Sequence, residues 1–100
     1  MKYNKLVRDS IPEYITSKGE KAIIHIANDE EYWEKLKEKL SEEVQEFYES
    51  ETIDELADIL EVIDAISEYK KFDSEKILEI KNKKAQQRGK FEKRVILDES

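Results

Sequence analysis

The chain has 100 residues and a mass of 11.9 kDa, enough for one domain over residues 1–100 but hardly for two. Charged residues make up 43% and hydrophobic residues 38%, with two glycines and one proline, a composition that favours long helices. The net charge of −7 argues against a nucleic-acid polymer or an anionic membrane as partner, because both call for excess Lys and Arg. Without cysteine there is no disulfide, thiol nucleophile or thiolate zinc site. The single histidine, His25, excludes multi-histidine metal sites and disfavours a Ser-His-Asp triad.

The elements follow in chain order. Asp9 or Ser10 is placed to cap a short helix with Pro12 in its first turn and Gly19 beyond its end. The β-branched run around residues 22–26 reads as a strand that includes His25. Asp29 is expected to cap a helix over about 30–49, in which Trp33, Leu36, Leu40, Val44 and Phe47 form a narrow apolar stripe. Thr52 opens a helix over about 53–70, and a further helix over about 74–88 stops at Gly89. Phe91 to Leu97 reads as a second strand, and residues near 22–26 and 93–97 are the economical pair for a short two-stranded ladder. The fold class is therefore mainly α. No apolar run approaches the roughly 18 residues of a membrane span, and the polar start does not read as a signal peptide, so a cytoplasmic protein without membrane association is expected.

Charge is unevenly placed. Residues 1–21 carry five bases and three acids, residues 22–69 three bases and sixteen acids, and residues 70–100 ten bases and six acids. Most of the acids in the middle lie on solvated helix faces, as Asp54, Glu61 and Glu68 do in one seam and Glu42 does opposite the apolar stripe. Four do not. Glu43 and Glu46 line one margin of the apolar stripe at i, i+3 spacing. Glu55 projects between Val62 and Ile66, and Asp58 between Ala65 and Tyr69, on a helix that is apolar around most of its circumference.

A carboxylate enclosed by apolar neighbours costs several kcal/mol unless it is paired, protonated or bound to a metal. Two acidic pairs pointing between antiparallel helices fit a hard divalent cation, Mg²⁺ first and Mn²⁺ as a substitute, and Mg²⁺ in turn implies phosphate chemistry. The basic ends, with Lys5, Arg8, Lys83, Lys84 and Arg88 among others, contain the cations a polyphosphate requires. Ordinary alternatives stand beside this. Thr52 to Glu55 matches a capping box, Glu43 has Lys39 or Lys84 as ion-pair partners, and the basic C-terminal stretch is compatible with a solvated face. Trp33 and the tyrosines read as core or interface rather than as a base-stacking platform.

Glu43-Val44-Gln45-Glu46 followed by Glu55-Leu56-Ala57-Asp58 resembles the E-x-x-E … E-x-x-D signature of the all-α nucleoside triphosphate pyrophosphohydrolases, the MazG-like superfamily. Tyr3-Asn4-Lys5-Leu6-Val7-Arg8-Asp9 with Ile11-Pro12-Glu13, the run from Glu55 to Val62, and Lys83-Lys84 to Arg88-Gly89 with Phe91 look like its phosphoribosyl-ATP pyrophosphohydrolase-like branch. The resemblance implies a helical bundle completed by dimerisation or tetramerisation, with Mg²⁺ held by Glu43, Glu46, Glu55 and Asp58. It implies hydrolysis of a nucleoside triphosphate to the monophosphate and pyrophosphate, as in nucleotide house-cleaning, with Glu43 or Glu46 orienting or deprotonating the water. Lys83, Lys84 and Arg88 are then expected to grip the polyphosphate, with Arg8 and Lys5 as secondary candidates. The eight-residue spacer between Glu46 and Glu55 is shorter than in larger members and leaves little room for loops that enclose a base. Hydrolysis of phosphoribosyl-ATP itself and a non-catalytic helical oligomerisation or partner-binding module are the competing readings.

Overall fold

Two amphipathic helices and the tight turn between them organise the chain. The computed structural model describes residues 3–100. In it the helices are α1 (Ile11–Ser17), α2 (Asp29–Ser50), α3 (Ile53–Tyr69) and α4 (Ser74–Arg88). The start of α2 is capped by Asn28 rather than Asp29: Asn28 Oδ1 accepts from the Glu31 amide at 2.9 Å, and Asp29, Glu30 and Glu31 then place three acids in the first turn. Those charges suit the partial positive end of the helix. At the other end Glu51 adopts φ 54°, and its N–H donates to the Phe47 carbonyl at 2.8 Å. Thr52 immediately caps α3 by accepting from the Glu55 amide at 3.3 Å. Two non-helical residues thus reverse the chain.

The hairpin is antiparallel, as its open end shows. Tyr69, last in α3, stacks on Trp33 near the start of α2 with ring centroids 5.5 Å apart and an interplanar angle of 6°. Its hydroxyl donates to the Asp29 carbonyl at 3.2 Å. Between this clasp and the turn lies the core. Leu36 is 0% exposed and Val62 is buried, with Trp33, Leu40, Val44 and Phe47 half-buried along the stripe expected for α2. Only α2 and α3 pack extensively on each other, and α4 buries none of its residues. The chain is consequently drawn out to 56 × 31 × 23 Å with a radius of gyration of 17.9 Å, against about 13 Å for a compact chain of this length. No helix among the described residues is long and apolar enough to cross a membrane.

The two expected strands do not form, and no strand is present among the described residues. Residues 22–26 run without regular structure beside α1, where Ala22 and Ile24 share a shallow groove of about 460 Å³ with Pro12, Glu13, Thr16 and Ser17. Ile26 remains 88% exposed. Residues 93–97 follow a helix that does not pack back on the hairpin, so the two runs are not brought into register. An isolated two-stranded pair with no layer to cover it is only marginally stable in any case. His25, read as a strand residue, instead has Nε2 within 2.9 and 3.0 Å of the two Glu31 carboxylate oxygens.

Truncation at the packing centre should be severe. Leu36→Ala is expected to lower unfolding free energy by about 2–5 kcal/mol in urea denaturation followed by circular dichroism. The same truncation at exposed Leu78 should stay within about 0.5 kcal/mol. Equal losses at the two positions would show that the hairpin interior is not the core.

Candidate metal centre

The tight turn sets the register that matters: it places the last turns of α2 against the first turns of α3. Glu43 lies two turns after Leu36 and is carried inward with it, to 7% exposure. Glu55 and Asp58, one turn apart on α3, approach it from the facing helix. One carboxylate oxygen from each of Glu43, Glu55 and Asp58 lies within 4.8 Å of the other two. Glu43 Oε2 and Glu55 Oε2 are both shut off from solvent with no hydrogen-bond partner.

Neither the helix cap nor the lysine pair accounts for these two oxygens. Thr52 does cap α3, yet the Glu55 carboxylate does not return the bond to the Thr52 amide; it turns into the acidic cluster instead. Glu43 has Lys39 as its cation, 3.5 Å from Oε1 and one turn earlier on α2, but that contact leaves Oε2 unsatisfied.

Like charge dominates the electrostatics. Burial, followed by the negative charges of Glu46, Glu43 and Asp58 and the hydrogen-bonding proximity of Glu43, pushes the Glu55 carboxyl up to about 7. Glu46 is raised as well, first by burial and then by Glu43. Glu42 behaves oppositely. Burial alone would raise it, but Lys5 at 3.1 Å and Lys39 at 3.5 Å outweigh that and hold it below the ordinary carboxylate value. Asp58 has its own cation, with Arg8 Nη2 2.8 Å from Oδ1. The raised carboxyl of Glu55 and the cations Lys39 and Arg8 thus offset the repulsion within the cluster.

The donor set fits a hard cation. All three converging groups are carboxylates, two offer oxygens with nothing else to bind, and neither His nor Cys competes. Glu43, Glu55 and Asp58 are the residues that would hold such an ion, through oxygen ligands of the kind Mg²⁺ takes.

The remaining expected site residues are distributed unevenly. Glu46 stands beside Glu43 and Glu55 but outside the three-carboxylate group. Lys5 and Arg8, on the segment before α1, reach Glu42 and Asp58. Lys83, Lys84 and Arg88 are exposed on α4 and make no ion pair among the described residues. Glu42, assigned by the helical wheel to the solvated side, is half-buried because the segment around Lys5 covers it. Lys39 was visible only as an ion-pair candidate; its i, i+3 and i, i+4 spacing to Glu42 and Glu43 carries the signal for its role here.

Comparison with known proteins adds little to this geometry. No protein-family model and no solved structure matches the chain. An uncharacterized protein from Mycolicibacterium smegmatis is 46% identical over 50 residues, which is 50% of this chain and 51% of that relative. The chain therefore aligns with about half the length of the curated relative it matches.

A carboxyl raised in the fold favours the folded state below its ordinary pKa near 4.5, and that advantage is lost as pH rises through about 7. With chelator present, the melting temperature should therefore fall between pH 4.5 and 7, and Glu55→Gln should flatten the decline. An unchanged slope in Glu55→Gln would place the pH-sensitive group elsewhere.

Proposed function

We propose that the protein is a Mg²⁺-dependent nucleoside triphosphate pyrophosphohydrolase, converting a nucleoside triphosphate and water into the monophosphate and pyrophosphate. The observation that carries this reading is that Glu43 and Glu55, whose carboxylates converge with that of Asp58, each keep a partnerless, solvent-excluded oxygen. A purely structural module gains nothing from enclosing them, whereas a hard cation satisfies both. The E-x-x-E … E-x-x-D spacing supplies the link from cation to nucleotide.

In this reading Glu43, Glu55 and Asp58 hold the metal, with Glu46 completing the set at its margin. When bound, Mg²⁺ neutralises phosphate charge and acidifies an attacking water. Glu46 is half-exposed, flanked by acids and raised in pKa, which suits it to accept the proton of that water at its carboxylate. Arg8 and Lys5 stand at the edge of the cluster where phosphate oxygens need cations. Lys83, Lys84 and Arg88 reach the polyphosphate when α4 is brought to the groove by self-association as a dimer or tetramer. The exposed row Ile53, Leu56, Leu60 and Ile63 along α3 supports such association. The sequence resemblance extends this reading to the clearing of non-standard or surplus nucleotides in the cytoplasm.

The test is direct. Protein with Mg²⁺ and a panel of nucleoside triphosphates, phosphoribosyl-ATP included, should release pyrophosphate from at least one, and Asp58→Asn should lower turnover at least about 10²-fold with helicity retained. Mg²⁺ at about 100 times its Kd should stabilise the fold by about 2.7 kcal/mol, read as a rise in melting temperature. Absence of release across the panel would leave the helical interaction module as the better reading.

A further inference from the structure

The segment before α1 takes no helical or strand structure, yet it is tied to both helices of the hairpin. Lys5 Nζ lies 3.1 Å from Glu42 Oε1 on α2, and Arg8 Nη2 lies 2.8 Å from Asp58 Oδ1 on α3. Between them Tyr3, Asn4, Lys5 and Leu6 close one wall of a small cavity of about 140 Å³ against Lys35, Glu38, Lys39 and Glu42. Asn4 sits at φ 48° and Ile11 N–H donates to the Arg8 carbonyl at 3.1 Å, so the segment is shaped at both ends.

Charge explains why cations are tied there. With all five carboxylates ionised, Glu42, Glu43, Glu46, Glu55 and Asp58 exceed the charges of Lys5, Lys39 and Arg8 by two, the charge of one divalent cation. The compensating cations are not equivalent. Lys39 is largely buried and leans on the main body of α2, whereas the Arg8 side chain is 58% exposed and occupies an oxygen of Asp58 itself. A half-exposed pair of this kind is weakly held and readily changes partner. The guanidinium fork also matches two phosphate oxygens as well as it matches a carboxylate.

We propose that Arg8 is a tethered counter-ion with two successive partners: it neutralises Asp58 while the metal is absent, and once a divalent cation takes Asp58 it turns to the polyphosphate of the incoming ligand. This rests on the carboxylate cluster being a metal site. Arg8 thereby competes with the metal and cooperates with the phosphate. Loading of the cation and capture of the polyphosphate are coupled through one side chain, which makes polyphosphate binding weak until the metal is in place.

Mn²⁺ binding to the full chain, followed by electron paramagnetic resonance without any nucleotide, separates the two roles. Arg8→Gln should tighten Mn²⁺ binding by up to about fivefold, because it removes a competing charge of surface-pair strength. In calorimetry at saturating Mg²⁺ the same variant should bind tripolyphosphate about tenfold or more weakly. Arg8→Lys should leave Mn²⁺ affinity near that of the wild type, yet still weaken tripolyphosphate binding because the fork is lost. Lys76→Gln, which removes one positive charge from α4 at its pair with Glu79, should change neither. Unchanged or weaker Mn²⁺ binding in Arg8→Gln would overturn the competition while leaving the metal site intact. Undiminished tripolyphosphate binding would overturn the exchange. Failure of the wild type to bind Mn²⁺ at all would overturn both the metal site and the proposal built on it.

Discussion

Glu43 is the constraint around which the molecule is arranged. It is the one charged residue buried among the described residues, and it stands in a core whose only other buried members are Leu36 and Val62. A carboxylate in that position needs compensation within its own shell, since water is excluded from one of its oxygens. Lys39 supplies part of it from the same helix. The rest of the neighbourhood worsens the problem, because the turn at Glu51 and Thr52 delivers Glu55 and Asp58 to the same place. The raised carboxyl of Glu55 and the Arg8 contact both follow from that meeting of like charges.

The small core bears on this balance. Few residues are fully buried, α4 contributes none, and large apolar side chains along α3 and α4 face outward. The hairpin is held by one stripe of contacts and by the aromatic clasp of Trp33 and Tyr69, over which Lys70 Nζ sits 4.2 Å from the Trp33 ring centre. The clasp and the carboxylates occupy opposite ends of the same hairpin. Packing at the open end therefore opposes the repulsion near the turn.

Net charge is a poor guide to partners when charge is segregated. The value of −7 argues against polyanions, yet five of the acids are gathered around one position where three cations already face them. A single divalent charge would cancel that difference locally. The electrostatic field that a small phosphate ligand meets is set by this neighbourhood and not by the whole-chain sum.

Helix existence, approximate bounds and the apolar stripe of α2 were legible from periodicity, because the 3.6-residue repeat is a local property of the chain. So was the burial of Glu43, since a helical wheel shows which acids share a face with apolar residues; Glu46, Glu55 and Asp58 are only half-buried. The β-branched runs at 22–26 and 93–97 misled because strand formation requires a neighbour, and the chain carries these runs to different places. Glu42 misled for a related reason: its wheel position is polar, but a distant segment covers it. The helices, and the fact that acids rather than apolar residues meet where α2 faces α3, are written in the local sequence. Only the tertiary structure decided that Arg8 and Lys5, rather than Lys83, Lys84 and Arg88, stand beside those carboxylates within one chain, because contacts 37 and 50 residues apart depend on how the chain returns on itself and leave no periodic trace.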